Sequence, residues 1–266
     1  MAALGSAGRE TKVRCAGIEV QVRRGGAGTP LLFIHGEMGA PGWIDAFEHL
    51  SQSHDVIVPS LPGYGTSERP DWIMSVNDMA AWIAWFARDS EIVMPVDVVG
   101  CSMGGWIAAE IAVVAPEFIN KLVLCSPMGI KPREGDIFDY FLESGATGLH
   151  RSFHDPEGCA QYMKYYGKEL SPDDHDRIEQ HREMTCRIAW KPYMHSLTLP
   201  AFLPSLNAPT MILCGEQDRI VPLDAARQYA QGIAGSELVT IKDCGHMPEL
   251  EQPEQFAAAV REFLKR

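Results

Sequence analysis

Apolar and polar positions repeat with two different periods along this chain, and the changes between them predict alternating strands and helices. Residues 18–24, IEVQVRR, alternate one by one, as in a strand with one wet face. TPLLFIHG (29–36), DVIVPSLPGYG (55–65), PVDVVG (95–100) and KLVLCS (121–126) are short apolar runs bounded by Gly or Pro, the pattern of buried strands. Residues 75–88 carry apolar positions at helical spacing behind Ser75, a candidate cap with Asp78 three residues on. Residues 107–115 are helical in character and lie between two strand runs. Alternation of this kind predicts a parallel sheet covered by helices on both faces.

The rhythm breaks after Pro127. Residues 129–200 hold Gly, Pro, His and many charges, with helical patterns at 155–166 and 172–190 and no buried strand. The sheet resumes with APTMILCG (208–215) and ELVTIKDCGH (237–246), and PEQFAAAVREFLKR (253–266) predicts an amphipathic helix opening on Pro. The organisation predicted is one α/β core, 1–128 and 201–266, with a helical insertion at 129–200. An insertion there sits over the carboxyl ends of the strands, where open α/β sheets bind ligands.

Composition narrows the partners. The 266 residues carry a formal net charge of −12, which disfavours nucleic acid and anionic lipid. No apolar run reaches the roughly 18 residues of a membrane span. The N-terminal residues lack the basic start and apolar run of a secretory signal. Seven scattered cysteines, an odd number, suit a reducing cytoplasm, and no Cys/His spacing suggests a metal site. A homodimer stays open.

Chemistry concentrates at GCSMGG, residues 100–105, between the VDVV strand and the WIAAEIA helix. Gly100, Ser102 and Gly104 form G-x-S-x-G, in which the chain turns sharply from strand to helix with the central residue at the tip. Ser102 would project into the cleft as nucleophile, Cys101 would point elsewhere as a packing residue, and the Met103 amide would lie at a helix N-terminus that favours negative charge. A serine needs a base. His246, in the loop after the 237–246 strand, lies on the same rim; His35 is the nearest rival. Five histidines of the insertion (150, 154, 175, 181, 195) are expected in solvated roles, and His49 and His54 at the surface. The histidine needs an orienting acid, for which Asp218 in GEQDRIVP fits, ahead of Glu216 and Asp243. The tetrahedral intermediate needs two donors: the Met103 amide and an amide of HGEMGAPGW, best that of Glu37. A glutamate is awkward there, because an inward carboxylate opposes the developing charge. The expectation is that it points away or pairs with a cation.

LLFIHGEMG, PSLPGYGTSERP, VVGCSMGGWIAAEIA, ILCGEQDRIVP and DCGHMPELEQPEQF, in that order, resemble the α/β-hydrolase superfamily over most of the chain. The resemblance implies an eight-stranded, mostly parallel sheet with a helical cap inserted after the sixth strand. It maps a triad onto Ser102, Asp218 and His246, and oxyanion amides onto Glu37 and Met103. Relatives with aspartate at the elbow, the dehalogenases and epoxide hydrolases, do not fit Ser102. The carbon–carbon hydrolases of ring-fission products have a glycine-richer oxyanion loop and a tryptophan after the histidine, where this chain has Glu37-Met38 and Met247. Their cap arginine binds a substrate carboxylate; Arg182 and Arg187 could serve here, though a charged surface helix is the expected setting of both.

Insertion aromatics, with Trp190, Tyr193 and Tyr166 as candidates, are expected to shape an apolar pocket. The leading expectation is a carboxylesterase cleaving a small or medium ester through an acyl-Ser102 intermediate, without metal or organic cofactor. The alternative is a carbon–carbon hydrolase of a ring-fission-type diketone acid. A reading of another class is a slow or non-catalytic ligand receptor on the same fold; hydroxynitrile lyase and perhydrolase activities reuse the same residues.

Overall fold

The computed structural model describes residues 8–167 and 171–266. The N-terminal residues read above for a signal begin outside the described residues, and positions 168–170 of the insertion also lie outside them. In chain order the elements begin β1 (Arg9–Cys15), β2 (Ile18–Gly25), β3 (Thr29–Ile34), α1 (Asp45–Ser51), β4 (His54–Pro59) and α2 (Val76–Asp89). They continue with β5 (Val96–Cys101), α3 (Met103–Val114), β6 (Ile119–Cys125), α4 (Gly145–Arg151), α5 (Ala160–Tyr165) and α6 (Pro172–Ala189). The last are α7 (Leu199–Phe202), β7 (Thr210–Gly215), α8 (Leu223–Gly232), β8 (Glu237–Ile241), α9 (Pro248–Glu251) and α10 (Pro253–Lys265).

The eight strands form one sheet in the order β1-β2-β4-β3-β5-β6-β7-β8. β2 pairs antiparallel with both β1 and β4; every pairing from β4 to β8 is parallel. The apolar runs become the strands buried on both faces: every residue of β5 and of β7 is buried. β3 and β5 lie side by side, with Ile34 paired to Gly100, so the loops after them open at the same edge. Helices flank the sheet, α1 packing on α10 and α2 on α3. α3 is apolar nearly all round because it is enclosed nearly all round; its first ten residues are buried. α2 starts where the cap pattern places it, with the Asp78 amide donating to Ser75 Oγ at 3.1 Å.

Between β6 and β7 the chain leaves the sheet and returns, carrying α4, α5 and α6. α6 opens on a full capping box: Ser171 accepts from the Asp174 amide, and Asp174 accepts from the Ser171 amide. Two side chains of α6 hold it on the core. The His181 Nδ1–H donates to Met38 O at 2.9 Å, and Nε2 accepts from the Gly65 amide at 2.9 Å. Thr185 meets the Tyr64 hydroxyl at 2.8 Å. His181 is therefore a buried, neutral histidine, its pKa pushed down to about 4 by burial. It does not take the solvated role expected of it, because both ring nitrogens are engaged by backbone groups of the core, the Met38 carbonyl and the Gly65 amide. His54 is likewise buried rather than at the surface. No helix among the described residues is long and apolar enough to cross a membrane.

Candidate active site

β5 ends at Cys101, and α3 begins at Met103. The turn between them is a single residue, Ser102, at φ 53° and ψ −117°, a conformation in which a non-glycine side chain is strained. The flanking glycines make this turn sterically feasible. A Cβ on Gly100 would meet the Gly104 carbonyl, and one on Gly104 would meet the Ile34 carbonyl, both well inside contact distance. The Ser102 amide donates to Cys125 O at 2.8 Å on β6, which pins the turn to the sheet.

The structure brings together Ser102, His246 and Asp218 from three loops at one sheet edge. His246 Nε2 lies 2.7 Å from Ser102 Oγ, and His246 Nδ1 lies 2.7 Å from Asp218 Oδ2. The Asp218 carboxylate is fixed from behind: Oδ1 accepts the amides of Ile220 at 2.8 Å and Val221 at 2.9 Å. The His246 amide donates to Ser152 O at 2.7 Å, tying its loop to the inserted segment. The rivals stand elsewhere. His35 donates from Nδ1 to Gly36 O at 2.8 Å and accepts the Leu61 amide at Nε2 at 2.9 Å. Burial pushes its pKa down to about 3, so it is a neutral buttress of the loop after β3. Glu216 and Asp243 are exposed.

Cys101 answers its own question of reactivity. Its Sγ lies with Cys125 Sγ and a Glu249 oxygen within 4.8 Å of one another, all three buried. Burial pushes the Cys101 thiol up to about 12, so it stays protonated and a poor nucleophile.

The loop after β3 departs from expectation at Glu37. Gly36 lets this loop close on the elbow: a Cβ there would lie 3.0 Å from Ser102 Cβ. The Glu37 side chain does not point away, and no Lys or Arg pairs with it; the nearest basic group is His246. It is buried, with Oε2 accepting from Ser102 Oγ at 2.6 Å and Oε1 accepting from the Tyr140 hydroxyl at 2.6 Å. Its Oε1 also lies 4.0 Å from His246 Nε2. The correction has a physical reason: two short hydrogen bonds replace water around the carboxylate, so burial without an adjacent Lys or Arg is tolerated. The Glu37 and Met103 amides find no protein acceptor among the described residues.

Burial works against charge on His246, yet the Asp218 charge and hydrogen bond, with the Glu37 and Glu249 charges, outweigh it. The pKa is pushed up to about 9. Glu249 forms part of the wall in front of Ser102, and burial raises its pKa to about 7. That void is narrow and lies between Phe33, Met38, Phe47, Met247 and Leu250. Tyr166 lines it. Trp190, 63% exposed, lies tilted against Phe141 instead, and the Tyr193 hydroxyl accepts the Tyr140 amide at 2.9 Å, so both stand away from the void. Arg182 is spent on the Tyr140 and Glu143 carbonyls and Glu179; Arg187 is spent on Asp71 O. Lys and Arg are absent from the described residues lining the void. Its mouth shares Met38, Ala40, Pro41 and Tyr166 with a wider hollow that carries Arg23, Lys164 and Arg177.

Tyr140 and Glu249 are the site groups that the pattern of motifs does not single out, and Glu37 is singled out there for its amide rather than for an inward carboxylate. Tyr140 is 103 residues from its partner, with no sequence signal linking them. Glu249 carries a weak signal, three residues after His246 in a helical turn.

Residues 29–253 match the family described as alpha/beta hydrolase fold. The chain is 28% identical to 2-hydroxymuconate semialdehyde hydrolase of Pseudomonas sp. (strain CF600), over 97% of this chain and 93% of that one. Among solved structures it resembles a meta-cleavage product hydrolase from Pseudomonas fluorescens IP01, with TM-score 0.79 and 23% identity over 96% and 97% of the two chains. It also resembles a thermophilic esterase from Thermogutta terrifontis, with TM-score 0.74 and 25% identity over 97% and 98%.

Proposed function

The chain belongs to the alpha/beta hydrolase fold family, and from that premise we propose that it is a Ser102-dependent hydrolase of a carbon–carbon bond next to a ketone or aldehyde carbonyl. The observation that carries this reading is the full-length similarity to a hydrolase of 2-hydroxymuconate semialdehyde. That compound has carbonyl groups and no ester, so its hydrolysis must break a carbon–carbon bond. In this reading the dienol first passes its 2-hydroxyl proton to C5 to become a 2-ketone, Ser102 adds to the C6 carbonyl, the amides of Glu37 and Met103 receive the oxyanion, and the C5–C6 bond breaks to expel a carbanion conjugated with that ketone. Water then releases the acyl group from Ser102. His246 moves the protons, and Asp218 holds its ring. The segment 129–200 acts as the cap, with Tyr166 against the substrate. A substrate carboxylate would be met by the cations of the adjoining hollow, since the void itself is lined with Glu37 and Glu249.

Ester cleavage, the leading expectation from sequence, stays as the second reading because of that acidic wall, which suits a neutral acyl group better than an anionic one. One experiment separates them. Purified protein and Ser102→Ala are given a 2-hydroxy-6-oxohexa-2,4-dienoate and, separately, p-nitrophenyl esters of several acyl lengths. Loss of dienoate absorbance, with kcat/KM at least about 100-fold above the esters and abolished in Ser102→Ala, is expected. Turnover of esters with the dienoate untouched would replace the first reading by the second.

A further inference from the structure

The backbone that carries His246 is held from three sides. The amides of Cys244, Gly245 and His246 are consecutive, and each donates to a different element. Cys244 donates to Gln217 Oε1 at 3.0 Å, Gly245 to Glu251 Oε2 at 2.6 Å, and His246 to Ser152 O at 2.7 Å. The Gln217 amide in turn donates to Cys244 O at 2.9 Å, which joins the loop of Asp218 to the loop of His246. Ser152 belongs to the insertion, just after α4. The same stretch reaches the Asp218 loop, where the Arg219 guanidinium donates to Phe153 O. Ser152 and Phe153 are fully buried. The two backbones touch: a Cβ on Gly245 would lie 2.5 Å from Ser152 O. Of the three acceptors, Glu251 alone holds both sides. Its Oε2 accepts the Gly245 amide and, at 3.0 Å, the His154 amide; its Oε1 accepts the Asp155 amide at 2.8 Å. All three bonds come from backbone amides, and a carboxylate makes such bonds stronger than a neutral oxygen does. Glu251 is not among the residues lining the void in front of Ser102; it opens on a surface hollow with His154, Asp155 and Asp243.

We propose that Glu251 is the positioning residue of the base. By clamping the residue before His246 to the stretch 152–155 of the insertion, it sets Nε2 where the Ser102 proton can be taken and returned. The inference rests on the reading of Ser102, His246 and Asp218 given above and is independent of the bond that is cleaved. The ring bonds at both ends at 2.7 Å, to Ser102 Oγ and to Asp218 Oδ2, and such bonds weaken steeply with misalignment. The bond to Ser102 is given up as soon as Oγ bonds to a substrate carbon. From then until the proton is returned, the ring keeps its place through Asp218 and through the backbone at 244–246. Glu251 acts on that backbone. The insertion therefore serves the base as well as the substrate.

The test is the saturation kinetics of fluorophosphonate labelling of Ser102, read by mass spectrometry as a maximal rate, kinact, and a half-saturating concentration, KI. In that reaction Oγ bonds to phosphorus, its proton passes to His246 Nε2, and fluoride leaves with the electron pair of the P–F bond. Thermal unfolding of the same proteins is measured alongside. Glu251→Ala should lower kinact by about 100-fold, the scale of an ångström misplacement of a reacting group, and leave KI within about 2-fold of wild type. Glu251→Gln should fall between the two. Its single oxygen can serve the Gly245 and His154 amides or the Asp155 amide, and its NH2 group then opposes the other side, so kinact should drop by about 10-fold. A residue that only holds the fold together would lower the unfolding midpoint and leave the kinact of the folded molecules alone. A folded Glu251→Ala with kinact within about 3-fold of wild type overturns the proposal, and so does a loss that appears in KI alone. Should Glu251→Ala fail to fold, the nearly isosteric Glu251→Gln decides, and a wild-type kinact in that variant overturns the proposal. A wild type that is never labelled overturns the Ser102 reading itself, whereas a labelled wild type with a fast Glu251→Ala overturns only the role of Glu251.

Discussion

At the level of single residues, the site is set by atoms that are missing as much as by those present. Gly104 has no Cβ because the Ile34 carbonyl of β3 occupies that place. Gly104→Ala should therefore push α3 off the sheet and cost at least about 2–3 kcal/mol, the scale of overpacking in a close-packed interior. The guanidinium unfolding midpoint of that variant checks this, and an unchanged midpoint would mean that the elbow has slack that the contacts do not show. Glycines at positions 100 and 104 are also why the nucleophile is legible from sequence: a steric demand of backbone on backbone writes itself as a residue type at fixed spacing. The direction of the Glu37 side chain is not legible in that way. The residue's position in the loop is local information, but its orientation is decided by Tyr140, which arrives from the far side of an insertion. Charge reasoning alone sends the carboxylate outward; two short hydrogen bonds hold it in.

At the level of elements, the buried strands are the most legible, because strands covered on both faces are apolar throughout. β1 is the opposite case. RETKVRC is an edge strand with most of its side chains in solvent, so its pattern carries charges and little apolar signal. α1 and α8 escape notice because they are short and mixed in polarity, whereas α6 is legible from its Ser-Pro-Asp-Asp start. What α6 does is legible only in three dimensions. Through His181 it satisfies the Met38 carbonyl and the Gly65 amide, and Met38 adjoins Glu37. His181→Leu removes the partners of a buried carbonyl and a half-buried amide. The expected cost is about 1–3 kcal/mol, chiefly from the buried carbonyl left unpaired. The expected companion effect is slower fluorophosphonate labelling of Ser102, since the loop bearing Glu37 loses its anchor. Thermal unfolding and labelling rate, measured together, check it; a variant with full stability would show that α6 is seated by its apolar contacts alone.

For the whole molecule, the buried titratable groups predict a stability maximum in a narrow pH window. His35 and His181 fold neutral, with pKa values pushed from 6.5 down to about 3 and about 4, and His54 is shifted the same way. Their contribution is present above pH 6.5 and is lost as pH falls, because the unfolded chain binds protons that the native state refuses. His246 and Glu249 act in the opposite sense, raised to about 9 and about 7. The native state holds their protons more tightly, so the His246 contribution is complete below pH 6.5 and is lost as pH rises through 9. That of Glu249 is complete below 4.5 and lost through 7. From pH 4.5 to 6.5 the two strongly shifted histidines oppose one glutamate, and stability should rise by about 1.4 kcal/mol per pH unit for the net proton. From 7 to 9 it should fall with a similar slope, through His246 alone. Guanidinium midpoints at pH 5, 6.75 and 9 should therefore peak at 6.75; a maximum at 9 would mean that the imidazole is not held protonated. The alkaline limb also reports on the site. With Glu37→Gln one of the three carboxylates around His246 is gone, the ring releases its proton at lower pH, and the fall in stability should end correspondingly earlier than in the wild type.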